Sequence, residues 1–159
     1  MKRPPPVPRE EVEQQILFAW LDVAKWRGVP LGQLCYAVPN GAMYGADMRL
    51  ARIQAGKMRR TGLKRGVPDV VVPIAAGPYH GLYIELKRRN GYNAQHTPEQ
   101  RGWQARLRWL GHEVRVAEGG DHAKQIVTNY LARTGFPITI GWTPDPQIDW
   151  SKWMEGGDR

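Results

Sequence analysis

Serine and cysteine occur once each in this chain of 159 residues, and no stretch approaches a membrane-spanning length of apolar residues. Each shortage removes a class of function. The lone serine, Ser151, lies near the C-terminus, which argues against a serine-nucleophile hydrolase. A lone cysteine, Cys35, cannot form an internal disulfide, so a reducing, cytoplasmic setting is the simpler expectation. The N-terminus is charged but has no apolar segment of the kind that directs secretion. There is no G-x-x-x-x-G-K-[ST] phosphate loop, because Gly56-Lys57 is followed by Met58. The histidines at 80, 96, 112 and 122 have neither the H-E-x-x-H nor the Cys/His spacing of a zinc site.

What is present is basic charge. The 23 lysines and arginines exceed the 15 acids, giving a net charge of +8. The excess is uneven: 12 basic and 5 acidic residues precede Val67, whereas 11 and 10 follow from there on. Such asymmetry points to a polyanionic partner, nucleic acid before membrane. An apolar content of 42% over this length suits one globular domain with a real core.

Residues 1–9 read as a basic, proline-rich leader, unfit for the interior of a helix or sheet. From Glu10 to Arg27 the residues Val12, Ile16, Ala19, Trp20 and Val23 recur at helical spacing before Gly28. Leu34 to Val38 is a short strand candidate, and residues 46–60 read as a basic helix weakened by Gly56. Val70 to Ile74 and Leu82 to Lys87 read as two strands joined through Gly77-Pro78. Thr97-Pro98-Glu99-Gln100 is a capping box that opens a helix with Trp103, Leu107 and Leu110 on one face. A strand at Val114 to Ala117 follows. A last helix, with Asp121 as its expected cap, buries Ala123, Ile126, Val127, Tyr130 and Leu131. The order predicts one α/β domain over 10–135 with helices packed on a mixed sheet. The tryptophan-bearing extension over 136–159 has no legible fold.

Two pieces of this pattern carry chemistry. Val67-Pro68-Asp69 is followed, after a gap of fifteen residues, by Glu85-Leu86-Lys87. Strand alternation puts Glu85 and Lys87 on one face, and a hairpin places Asp69 across from one of them. Two carboxylates and an ammonium then meet at one edge. That set suits phosphodiester hydrolysis: carboxylates hold Mg²⁺ and leave room in its shell for water and phosphate, and the lysine steadies developing charge. A plain cross-strand salt bridge would use the same residues. Lys57, Arg59, Arg60, Lys64 and Arg65 lie just upstream, fit either to bind backbone phosphates or to form a solvated basic loop.

The segments Gly66-Val67-Pro68-Asp69, Tyr83-Ile84-Glu85-Leu86-Lys87, Thr97-Pro98-Glu99-Gln100 and Gly111-His112-Glu113-Val114, in that order, resemble the VRR-NUC family of the PD-(D/E)XK nuclease superfamily. Val38-Pro39-Asn40-Gly41 and the acidic first helix are similar to small, stand-alone, phage-type members. The resemblance implies a restriction-endonuclease-like core. It makes Asp69, Glu85 and the backbone carbonyl of Leu86 metal ligands, Lys87 the catalytic lysine, and Gln100 a contact near the scissile bond. It also asks for a glutamate from the first helix, for which Glu10 aligns best by its spacing to Gln14, ahead of Glu13 and Glu11. Asn40 joins the basic run as an expected DNA contact. The implied activity is Mg²⁺-dependent cutting of DNA, with Mn²⁺ able to substitute. By the same resemblance the protein acts as a homodimer on branched DNA, Holliday junctions foremost, in the (host) cytoplasm. Flap or nonspecific cutting is the first rival, and a noncatalytic DNA-binding module that keeps the fold is the second.

Overall fold

The computed structural model describes residues 9–39, 53, 56–89 and 95–140. The leader through Pro8, Asn40, most of the predicted helix at 46–60, and the tryptophans at 142, 150 and 153 lie outside the described residues. The element order is α1 (Glu10–Val23), β1 (Ala24–Trp26), β2 (Val29–Pro30), a 3-10 turn (Leu31–Gln33), β3 (Tyr36–Ala37), β4 (Val70–Val72), β5 (Leu82–Lys87), α2 (Pro98–Trp109), β6 (Glu113–Glu118), α3 (Gly120–Ala132) and β7 (Ile138–Ile140). Residues 56–60 are helical, as the basic segment predicts.

The main sheet has the order β3-β4-β5-β6. β3 and β4 pair antiparallel, as do β4 and β5, while β6 joins β5 in parallel after the crossover through α2. This is the mixed sheet expected of the sequence, and parallel neighbours need such a helical crossover. One face, with Val70, Val72, Leu82, Ile84, Leu86 and Ala117, packs against Leu17 and Leu21 of α1 and the buried side of α3. The opposite face carries Asp69, Tyr83, Glu85 and Lys87, and α2 lies on it over β6, where Arg108 Nη2 donates to the Val114 carbonyl.

Several local expectations change. The first helix stops at Val23, and Ala24–Trp26 turns into a strand instead of completing the helix to Arg27. The cause is a two-residue hairpin turn: Arg27 and Gly28 both have positive φ, 52° and 83°, the conformation that joins twisted antiparallel strands. β1 then pairs with β2 and, on its other side, with β7 in a second small sheet. The stripe of α1 that faces the core is Glu13, Leu17 and Leu21, while Val12 and Val23 stay exposed. Reading only apolar residues puts the stripe to one side, because the buried set begins with an acid. On α2 the buried residues are Gln104 and Leu107, and Leu110 is exposed. Predicted strand residues Leu34 and Cys35 precede a β3 of only two residues.

Glu13 explains a further difference. Its carboxylate is fully buried and accepts from Arg89 Nε at 2.5 Å, from Arg89 Nη2 at 2.8 Å and from the Gly120 amide at 2.9 Å. The first turn of α3 is therefore held by an acid from α1, where an anion also meets the positive end of the helix. Gly119 occupies the cap position with φ of 88°, and Asp121 sits inside the first turn, paired with Lys124 at 2.9 Å. Glycine at 120 is required by contact: a Cβ there would stand 2.6 Å from the Glu13 carbonyl oxygen and 2.8 Å from Ile16 Cγ2. Replacing Gly120 by alanine should force α1 and α3 apart and cost about 1–3 kcal/mol, the usual scale of overpacking, measured as a lower midpoint in urea unfolding.

Candidate active site

The β4–β5 pairing sets Val70 opposite Ile84 and Val72 opposite Leu82. Continued by one residue, the register puts Asp69 opposite Glu85. Asp69 is tied on both sides: its Oδ2 accepts from the Leu86 amide at 2.8 Å and its carbonyl accepts from the Val38 amide at 2.8 Å. Leu86, between Glu85 and Lys87, is thus fixed through its N–H by the neighbouring acid. Both faces of β5 are covered, so Asp69, Glu85 and Lys87 are buried, contrary to the solvated face of a simple surface pair.

Lys87 Nζ donates to Glu85 Oε1 at 2.9 Å, and Gln100 Nε2 donates to the same oxygen. Gln100 is held by the capping box that the sequence predicts: its Oε1 accepts from the Thr97 amide at 2.9 Å, and its own amide donates to Thr97 Oγ1 at 3.2 Å. A residue needed to start α2 therefore also reaches into the acid pair. Glu85 Oε2 is buried and, among the described residues, has no hydrogen-bond partner. Burial pushes the Glu85 carboxyl up to about 7, the Asp69 charge adds to the rise, and Lys87 opposes it.

Of the three glutamates on the first turn of α1, Glu10 is the one that feels the charges of Asp69 and Lys87. Although it stays open to solvent, crowding by protein raises its pKa, Asp69 raises it further, and Lys87 and Arg88 oppose. Glu13 is committed elsewhere; its hydrogen bonds from Arg89 hold it below the ordinary carboxylate range. Glu11 is exposed.

Lys57, Arg59, Arg60, Lys64 and Arg65 are all exposed. The loop that follows them docks against the start of α2. At Gly66, where φ is 78°, a Cβ would lie 2.7 Å from the Gln100 amide nitrogen. Arg65 helps to lower the pKa of Glu99, after that carboxylate's own backbone and Thr97 hydrogen bonds. The basic segment therefore ends beside the acids. Cys35 offers no nucleophile, since burial pushes its thiol up to about 12.

Among the described residues no three histidine, cysteine, aspartate or glutamate side chains stand close enough together to hold one metal ion, so Glu10 is within electrostatic range of the acids without completing a three-ligand set. The donor set at the centre is Asp69 and Glu85, with one buried oxygen unpartnered among those residues. This composition fits a hard divalent cation that keeps several waters, which is the habit of Mg²⁺. Sequence reasoning missed two features nearby: the Glu13–Arg89–Gly120 lock, whose partners lie 76 and 107 residues away, and Tyr36, which the β3–β4 pairing brings onto the face where strand alternation already puts Tyr83. No periodicity announces either.

No family model matches the chain, and no curated protein does. A solved structure described as a VRR_NUC domain protein is similar over 80% of this chain and 91% of its own, with a TM-score of 0.66 and 29% sequence identity.

The raised Glu85 pKa has a definite sign in stability. A carboxyl that ionises near 7 when folded and near 4.5 when unfolded stabilises fully below 4.5, and that contribution is lost as pH rises through 7. Without divalent ions, Glu85→Gln should gain stability relative to wild type as pH climbs from 5 to 8. The gain should approach about 3 kcal/mol on the scale of 1.36 kcal/mol per pH unit. Urea unfolding of both proteins across that range checks it; a pH-independent difference would reject it.

Proposed function

We propose that this chain, which resembles the VRR-NUC family in its motifs and is similar to a solved VRR_NUC domain protein, is a member of that family and a Mg²⁺-dependent endonuclease that cuts branched DNA. The single observation that carries the metal centre is the buried Glu85 Oε2, unpartnered among the described residues, beside Asp69. Two acids so placed oppose each other until a cation or a proton comes between them. Asp69 and Glu85 would hold the ion, with the Leu86 carbonyl as a third ligand and Mn²⁺ as an acceptable substitute. A bound ion of this kind polarises a phosphoryl oxygen and lowers the pKa of bound water.

The chain's own groups supply the rest. Lys87 Nζ, buried and 2.9 Å from Glu85 Oε1, keeps a fixed positive charge at the reacting phosphate. Gln100 Nε2 orients Glu85 and stands at the substrate side of α2. Glu10 on α1 adds negative charge within range of Asp69. The exposed basic run docked beside Gln100 gives affinity for phosphates without reading sequence. Holliday junctions are the preferred substrate, cut in pairs by a two-fold dimer that supplies two sites. No described helix is long and apolar enough to cross a membrane.

Cleavage of four-way junction, flap, duplex and single-stranded DNA, with and without Mg²⁺, tests this reading. Asp69→Ala and Glu85→Ala should abolish cutting while binding survives. Lys87→Ala should fold and bind but cut at least about 10²-fold more slowly in single turnover, the scale of losing one preorganised charge. A Lys87→Ala rate close to wild type would return the pair to a structural salt bridge, and cutting by Asp69→Ala would remove the site altogether.

Neutralising Lys57, Arg59 and Arg60 should weaken binding to every DNA sequence alike. The log–log salt slope should flatten by about 0.9 for each phosphate that the protein no longer neutralises. An unchanged slope in a fluorescence anisotropy titration would show that these residues only face solvent.

A further inference from the structure

The face that carries the acids has a second row. Tyr36 lies opposite Val71, Val71 opposite Tyr83, and Tyr83 beside Val114, so the four residues project together. Tyr83 is two residues before Glu85 on the same strand, which makes this face the acid-bearing one and sets the two rows about 6.8 Å apart. That distance is comparable to one step between phosphates along a nucleic-acid strand.

The row is a built surface with an open end. Val71 at its middle is 2% exposed, whereas Tyr36, on the edge strand, is 52% exposed. The Tyr83 ring is half-buried and braced by His112, centroid to centroid 5.0 Å at an edge-on 73°. Each side chain ends in a phenol, whose O–H can donate a hydrogen bond. Among the described residues neither hydroxyl has a hydrogen-bond partner. Two phenol O–H groups thus stand on the acid-bearing face, one row from Asp69 and Glu85, with no protein acceptor among those residues.

We propose that Tyr36 and Tyr83 form a phosphate subsite: their hydroxyls donate to the phosphodiester next to the one being cut. This rests on the nuclease reading above and extends it by naming what fixes the register of the strand. A strand held at two successive phosphates can slide neither way past the acids, and the contact reads backbone, not base. The side chains act here as neutral donors, which satisfies an anion without adding positive charge beside Lys87.

The test is binding, so it does not depend on cleavage. Oligonucleotide duplexes and junctions carry a neutral methylphosphonate at one phosphate at a time, and their affinity is measured by anisotropy with Ca²⁺ in place of Mg²⁺. Tyr36→Phe and Tyr83→Phe, which keep the rings and the His112 contact, should each weaken binding of unmodified DNA about tenfold, the scale of a hydrogen bond to a charged group. One methylphosphonate position, flanking the cut site, should weaken the wild type to a similar degree and leave the double phenylalanine variant unaffected. Wild-type affinity in both phenylalanine variants overturns the proposal. So does equal sensitivity of wild type and double variant at every methylphosphonate position. If the phenylalanine variants bind normally while Tyr36→Ala does not, the rings stack on bases and the phosphate assignment is wrong. A wild-type protein that binds no DNA would instead defeat the nuclease reading on which this one stands.

Discussion

The pairing of β4 with β5 is the constraint on which the remainder of this molecule turns. Three residue pairs of one short antiparallel ladder decide that Asp69 ends opposite Glu85, inside the protein and on one face. Two acids brought together in this way repel, and a register slipped by one residue would remove the conflict by sending one of them to the other face. It would also send Ile84 and Leu86, both fully buried, out of the core. The apolar face therefore enforces the electrostatic arrangement on the other. The strain in charge is a consequence of hydrophobic patterning and is confined to the place where a cation can relieve it.

The elements around the ladder each complete a different part of the centre. α2 delivers Gln100 through its own capping box, so the start of the helix and the position of the amide are one piece of geometry. The basic loop reaches the same turn because Gly66 lets backbone approach backbone. α1 carries two glutamates one turn apart with opposite fates. Glu13 turns inward to Arg89 and Gly120, while Glu10 stays within range of the Asp69 charge. Opposite pKa shifts in the two side chains follow from their surroundings: guanidinium hydrogen bonds for Glu13, crowding and a neighbouring carboxylate for Glu10.

Much of this was legible in the sequence where a local rule applied. The alternation in Leu82–Lys87 sets both the strand and the shared face of Glu85 and Lys87. Thr97 and Gln100 announce a capping box at one end of α2, and Gly111 with φ of 83° closes the other. The buried side of α3, from Ala123 to Leu131, follows its apolar spacing. The failures have a common cause, which is pairing between residues distant in sequence. The α1 stripe was misplaced because Glu13 is acceptable in the core only when Arg89 and Gly120 arrive. Asp121 looked like a cap because nothing local shows that an acid more than 100 residues upstream takes the Gly120 amide. Helical spacing ran on to Arg27 because β1 is made a strand by the Arg27–Gly28 turn to β2 and by its distant partner β7, neither of which shows in the apolar spacing.

The same long-range tie bears on how the chain is made. Synthesis delivers α1, with Glu13 on the side that must become interior, before the Gly120 amide, which follows 107 residues later, and β7 later still. Until those residues emerge, that carboxylate lacks the Gly120 amide as a partner. A nascent chain stalled before Gly120 would lack α3 and leave Leu17, Leu21 and the inner face of β5 without that cover.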